Sequence, residues 1–309
     1  MSNDVHGIVN LIKPVGMTSF FAVRYLKRLL DCKKAGHTGT LDPLACGLLT
    51  ICVGRGTKII PYLPEEKKEY IAEVTLGVTT ETLDREGKIT GQSEAWRQVT
   101  EEDIEQVLQD YIGKIEQIPP MFSAVHHKGQ RLYKLAREGK TVERESRKVE
   151  IFQLELLRVD LPVIQLRVVC SRGTYIRSLA RDLGSDLGSG AHLSFLIRRR
   201  VGPFNLQEAD TFEELEEKVT SGSTDVLIPV DYPLKYPRLA VDNKAHKKAI
   251  HGNILEMNNL HFLEEEVDLQ EGDRVRVYTP QEKFISVSEI KKTENGELVC
   301  QPLRVFIEL

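Results

Sequence analysis

Residues 36–47 read Gly36-His37-Thr38-Gly39-Thr40-Leu41-Asp42-Pro43-Leu44-Ala45-Cys46-Gly47, three glycines gathered around one carboxylate. Glycine lets a backbone approach a ligand closely or take positive φ. An Asp on a loop constrained in this way can be held rigidly toward a substrate. Taken alone, an Asp before Pro also reads as an ordinary turn residue. The stretch lacks the G-x-x-x-x-G-K-S/T order of a phosphate-cradling loop, and it is not a dinucleotide fingerprint.

The flanks carry clearer periodicity. Residues 8–12 read as a short strand, ended by Lys13-Pro14-Val15-Gly16. Thr18 or Ser19 caps a helix with Val23, Leu26 and Leu30 on one face. Ala35 to about Leu49 reads as loop, and the apolar run 48–53 as a strand. Tyr70, Ala72, Val74, Leu76 and Val78 alternate, which predicts a half-buried strand over 68–78. Thr79 to Gly91 is polar and reads as a turn region.

Thr100 and Asp103 form a capping-box-like start before Ile104, Val107, Leu108 and Tyr111. Arg131 to Glu138 reads as a short helix closed by Gly139, with 148–158 and 163–170 as two strands beyond it. Thr174 opens a helix in which Ile176, Leu179, Ala180, Leu183 and Leu187 form a core stripe, with Arg177 and Arg181 on a different face. An acidic helix over 208–219 leads into a Pro-containing linker. A second domain is expected from Pro237, with one helix over 242–251 and strands at 274–278, 284–290 and 297–308. This pattern suggests a small barrel. The expected division is 1–236 and 237–309.

With 309 residues, the chain is long enough for two domains and a substantial core. Hydrophobic residues are 41% and charged residues 28%, which excludes a disordered chain. No window approaches the length of an apolar membrane span. Met1 to Gly7 has no basic or apolar leader character, so a cytoplasmic protein is expected. Five cysteines without C-x-x-C spacing argue against a disulfide framework and a zinc ribbon. His126-His127 has no partners at ligand spacing, so no metal is expected.

The net charge of −4 hides an uneven distribution. Residues 205–309 carry a net −9, and residues 1–204 a net +5. Basic blocks lie at 1–62, 121–150 and 167–201, with an acidic stretch at 63–118. Converging in space, the blocks make a footprint for a polyanion; scattered, they are solvated faces.

The stretch 36–49 resembles the signature of the TruB family of pseudouridine synthases, and other motifs follow in that family's order. They are Asn10 to Ser19 with Lys13, Lys68-Glu69-Tyr70, Pro119 to Tyr133 with Lys128 and Arg131, Ser171 to Leu179 with Arg177, and Gly190 to Leu193 with Leu196 and the arginines 198–200. The matches span residues 8–204, and the tail after 237 is weakly similar to a PUA-type RNA-binding domain. The resemblance implies an α+β pseudouridine synthase fold, with a large, mainly antiparallel mixed sheet flanked by helices, followed by a small PUA-like β-barrel.

The implied reaction converts uridine 55 in the T-loop of tRNA to pseudouridine. It breaks a C–N bond, rotates the base and forms a C–C bond, without redox change and without a cofactor. The resemblance makes Asp42 the catalytic carboxylate, nucleophile or base, with Arg177 as its ion partner. Without the resemblance Arg177 reads as a surface arginine. Tyr70 reads as a core tyrosine or as a ring stacked on the target base, and Leu196 as a core leucine or a pocket wall. His37 is a candidate to fill the space left by a flipped uridine. Lys13, Lys128 and Arg131 complete the expected substrate contacts. The expected partner is the tRNA T-arm; neither a membrane nor an obligate protein partner is expected, and the chain is read as a monomer. A second reading, an RNA-folding chaperone, has no need of Asp42, and a third is a synthase for another RNA position.

Overall fold

The computed structural model describes residues 5–64, 67–223 and 225–306. The leader reading at Met1 to Asp4 lies outside them, as do the last two residues of the strand expected to end at 308.

The larger sheet contains β1 (Gly7–Lys13), β2 (Ala35–His37), β3 (Ala45–Val53), β4 (Lys68–Leu76), β7 (Gly113–Gln117), β10 (Arg147–Asp160), β11 (Val163–Cys170), β12 (Ala191–Val201) and β13 (Phe204–Asn205). Its order is β1-β3-β12-β4-β11-β10-β7, with β2 on β3 and β13 on β12. Every pair is antiparallel except β12 with β3. Helices α1 (Ser19–Leu29), α2 (Glu101–Gln109), α4 (Ile176–Asp186) and α5 (Phe212–Thr220) contribute to its main core, which holds Ala22, Leu26, Ile104, Leu108, Leu179, Leu183 and Leu215.

Strand β3 shows why its sequence is continuously apolar. Leu49, Ile51 and Val53 join the helix-side core, whereas Leu48 and Cys52 join a second core shared with the C-terminal part of the chain. A strand covered on both faces has no polar side to display. It begins at Ala45, three residues earlier than the apolar run alone indicates. Gly47 explains the difference. It has φ +99, and a Cβ there would lie 2.4 Å from the Arg198 carbonyl oxygen. Only glycine lets β3 lie this close to β12.

The polar stretch 79–91 is not a simple turn. Its ends pair as a hairpin, β5 (Val78–Thr80) with β6 (Ile89–Gln92), and its tip docks on β12. Leu193 N donates to Leu83 O, and Arg85 N donates to Leu193 O, both at 3.0 Å. A second hairpin, β8 (His126–His127) with β9 (Gln130–Arg131), precedes α3 (Leu132–Arg137).

The expected barrel takes the form of an open six-stranded sheet in the order β15-β19-β18-β17-β14-β16. It is built from β14 (Arg238–Val241), β15 (Leu255–Glu256), β16 (Leu260–Phe262), β17 (Arg274–Tyr278), β18 (Phe284–Lys292) and β19 (Leu298–Val305), around one short helix, α6 (His246–Ile250). The segment expected to be a linker is bound in place. Ile228 pairs with Ile8, Leu234 is buried, and Tyr236 donates to Tyr62 O at 2.8 Å. Val287 and Phe306 share a core with Ile8, Leu48 and Val201, so apolar packing joins the two sheets.

Gly184 fixes the seat of α4. A Cβ there would lie 2.3 Å from the Ala191 nitrogen at the start of β12. Gly184→Ala should therefore push α4 off β12 and cost about 1–3 kcal/mol of stability. Urea denaturation measures this, and an unchanged midpoint would refute the close contact.

Candidate active site

The loop from Thr38 to Leu44 is tethered at several points. Ser19, at the start of α1, accepts from Leu41 N and donates to Leu41 O, each at 2.8 Å. Gly16 N donates to Pro43 O at 2.8 Å. Arg198, only 1% exposed, donates to Leu48 O at 2.8 Å, Gly39 O at 3.1 Å and Thr40 O at 3.4 Å. A buried guanidinium with several N–H donors can satisfy this many carbonyls at once. Asp42 is thus carried on a loop bound to α1, β3 and β12.

Arg177 is 5% exposed and ties the site together. Its Nη2 lies 2.9 Å from Asp42 Oδ2 and donates to Phe122 O at 2.8 Å. Its Nη1 lies 3.4 Å from Asp84 Oδ2 and donates to Thr82 O at 3.1 Å. The helix face that the sequence places apart from the core stripe is therefore covered at Arg177. The hairpin tip and the Phe122 segment lie over it.

Asp84 was not anticipated. It is 4% exposed, accepts from Thr82 Oγ1 at 2.5 Å and from Glu86 N at 3.1 Å, and shares Arg177 with Asp42. Nothing in the polar reading of 79–91 marks it, because its burial comes from β12 and α4. Arg198 was visible only as one of three consecutive arginines, and its role as the staple of the loop was likewise missed.

The Asp42 side chain keeps about a third of its surface accessible, at 36%. Burial raises its carboxyl above the usual range, and the Asp84 charge adds to the rise, while the Arg177 charge and hydrogen bond oppose both. The carboxylate form thus depends on Arg177.

Lys13 is fully buried, and its ammonium donates to Pro14 O at 2.8 Å and Met17 O at 2.7 Å. Burial brings it down to about 8, partly offset by Cys46 and Asp42. Two of its three donors are thus taken by backbone carbonyls at the edge of the site.

Tyr70 is 6% exposed, and burial pushes its phenol up to about 12, so the ring is neutral. It pairs in register with Arg198, and the next pair on the same face is Ala72 with Leu196. Leu196 also pairs with Ala45, three residues after Asp42. His37 is half-buried on β2 opposite Ile51, its Nδ1 buried without a partner. Burial and the Arg198 and Lys68 charges lower its pKa, which keeps the imidazole neutral.

Lys128 and Arg131 are exposed, on the second hairpin, and neither makes a hydrogen bond or ion pair with Asp42 or Arg177 among the described residues. Among those residues no cluster of His, Cys, Asp and Glu is arranged to hold a metal ion.

The electrostatics give a direct test. A 13C NMR titration of the Asp42 carboxyl should show a midpoint above the usual carboxylate range. In Asp84→Asn the like charge is gone and the midpoint should fall; in Arg177→Met it should rise. Identical titrations in wild type and Asp84→Asn would remove Asp84 from the site.

The model for the TruB family pseudouridylate synthase (N terminal domain) matches residues 27–176, and that for the tRNA pseudouridylate synthase B C-terminal domain matches 177–235. The tRNA pseudouridine synthase B of Syntrophomonas wolfei is 44% identical, covering 98% of this chain and 99% of the relative. That of Symbiobacterium thermophilum is 46% identical, covering 81% and 83%. Among solved structures, an H/ACA RNP bound to a substrate RNA containing 2'-deoxyuridine aligns with a TM-score of 0.74 at 25% identity, covering 98% of this chain and 85% of the other. A Cbf5-Nop10-Gar1 complex gives 0.73 at 27%, covering 97% and 85%.

Proposed function

We propose that this chain, which belongs to the TruB family of pseudouridylate synthases and isomerises uridine to pseudouridine in tRNA, acts on uridine 55 of the T-loop with Asp42 as its catalytic carboxylate. The observation that carries the reading is the 2.9 Å pair of Asp42 with the buried Arg177, at a site whose carboxylate stays accessible.

An ionised carboxylate beside the glycosidic bond serves as nucleophile or base. Arg177 holds Asp42 in that form and aims it. Tyr70 offers its ring face to the base, since a phenol pushed up to about 12 is a poor proton acceptor. Leu196 closes the apolar side. The uridine leaves its stack to reach Asp42, and the neutral His37 ring fills the space behind it. Lys128 and Arg131 reach phosphates from the hairpin. The chain works as a monomer in the cytoplasm, a compartment that suits its free cysteines. It divides into a catalytic domain, 1–236, and a PUA-like RNA-binding domain, 237–309. All the expected site residues come from the first.

A tRNA transcript with tritium at C5 of its uridines tests the chemistry, because pseudouridine formation releases that tritium to water. Wild type should release one equivalent, mapped to position 55 by carbodiimide treatment and reverse transcription. Asp42→Asn should lose turnover by about 10²–10⁴-fold or more while still binding tRNA. Activity near wild type in Asp42→Asn would sink the assignment, and release mapping elsewhere would overturn the target.

The hairpin contact is tested separately. Lys128→Ala with Arg131→Ala should flatten the dependence of log Kd on log[KCl] by about 0.7–0.9 per lost phosphate contact. An unchanged slope would exclude both residues from the interface.

A further inference from the structure

A cavity of about 270 Å³ is walled in part by Phe122, whose carbonyl accepts from Arg177. It shares walls with the Arg177 cradle. Leu83 follows Thr82, Phe122 supplies one of the carbonyls that hold Arg177, and Arg181 is the next turn of α4. Lys140, Thr141 and Arg144 complete its polar lining, with Glu81 its one carboxylate.

The lining is short of negative charge. Arg181 pairs with Asp182 at 2.7 Å, and Lys140 with Glu138 at 2.8 Å. Arg144 has no carboxylate partner among the described residues. It donates from Nη1 to Pro119 O at 3.2 Å, and its Nε is buried with no acceptor. Of five N–H donors, one is satisfied by the protein. Burial and the nearby Arg181 charge both press the Arg144 pKa down, as for a cation that lacks its counter-ion.

The segment is shaped to hold Arg144 there. Helix α3 ends with Gly139 N on Ala136 O and Lys140 N on Leu135 O, both at 2.9 Å, which turns the chain back over the site. Pro119 then pins the far end of the guanidinium. A planar fork with free donors suits an oxyanion with several oxygens better than a single carbonyl does. The volume lies just below the range of ordinary small-ligand pockets, so it takes one phosphate and part of its sugar.

We propose that this cavity is a second RNA site, in which Arg144, flanked by Lys140 and Arg181, holds one backbone phosphodiester of the strand that carries the target uridine. The proposal rests on the tRNA reading above. A phosphate held here, against the Phe122 segment that also holds Arg177, fixes the strand about which the nucleotide turns out. It adds a half-buried contact at Arg144 to the exposed ones on the hairpin.

The test uses the full chain and T-arm stem-loops, each with one neutral methylphosphonate linkage. For wild type, one linkage should weaken binding about ten-fold or more, as expected for losing a charge-assisted contact. Arg144→Gln should weaken binding of the unmodified RNA, flatten the salt slope by about 0.7–0.9, and lose its sensitivity to that one linkage. Arg144→Lys, which keeps the charge, should retain the slope and guards against a folding defect. An unchanged slope in Arg144→Gln, with every linkage additive, would overturn the proposal while wild-type pseudouridine formation left the functional reading standing. Wild type that forms no pseudouridine would overturn both. In a parallel arm, inorganic phosphate is compared with chloride of equal ionic strength in a thermal melt. Phosphate stabilisation that depends on Arg144, with RNA binding unaffected, would assign the cavity to a free phosphate and overturn the RNA site.

Discussion

A charged group removed from water must be answered by other charges or by hydrogen bonds, and Arg177 is the place where this requirement organises the protein. At 5% exposure it takes two carboxylates and two carbonyl oxygens from three separate stretches of chain. Those stretches are the Asp42 loop, the tip of the β5–β6 hairpin and the Phe122 segment, all three brought to α4. Each has its own tether elsewhere, the loop on Ser19 and Arg198 and the hairpin tip on β12, and Arg177 is the group on which they converge. The cost of leaving such a cation unpaired is about 3–5 kcal/mol, enough to hold three irregular segments in one arrangement.

The legible parts of this arrangement are those set by local periodicity. The alternation from Tyr70 to Leu76 marks one buried face of β4, and the stripe from Ile176 to Leu183 marks the buried face of α4. The Thr100 capping box forms as read. Asp42 was legible as chemistry only because of the motif around it. Local reasoning failed where burial is imposed from elsewhere in the chain. Asp84 sits in a stretch as polar as any turn, and β12 makes it interior. Arg198 looks like one of three surface arginines, yet its position on β12 turns it into the loop, while Arg199 beside it is exposed. Lys13 follows a strand and precedes a proline, and nothing local says that two carbonyls will enclose its ammonium.

The acidic C-terminal part has a physical account as well. It is not a flexible appendage, because Phe306 and Val287 share a core with Ile8 and Leu48 on the back of β1 and β3. Its net negative charge is concentrated ahead of the six-stranded sheet: residues 205–236 carry −6 and residues 237–309 only −3, and the acidic helix α5 packs on the helix side through Leu215.

The charges within the site itself nearly cancel. Asp42 and Asp84 face Arg177, with Lys13 the next cation, held near 8 by burial and so protonated in neutral solution. Glu86 at the margin has its carboxyl raised by burial and by Asp84 and Asp42. A balanced centre of this kind neither attracts nor repels a phosphate chain strongly. The attraction has to come from its surroundings, where the cations outnumber their partners. This separation leaves Arg177 free to serve Asp42. A guanidinium drawn toward a phosphate would loosen its hold on the carboxylate, and burial would then favour the protonated, unreactive acid.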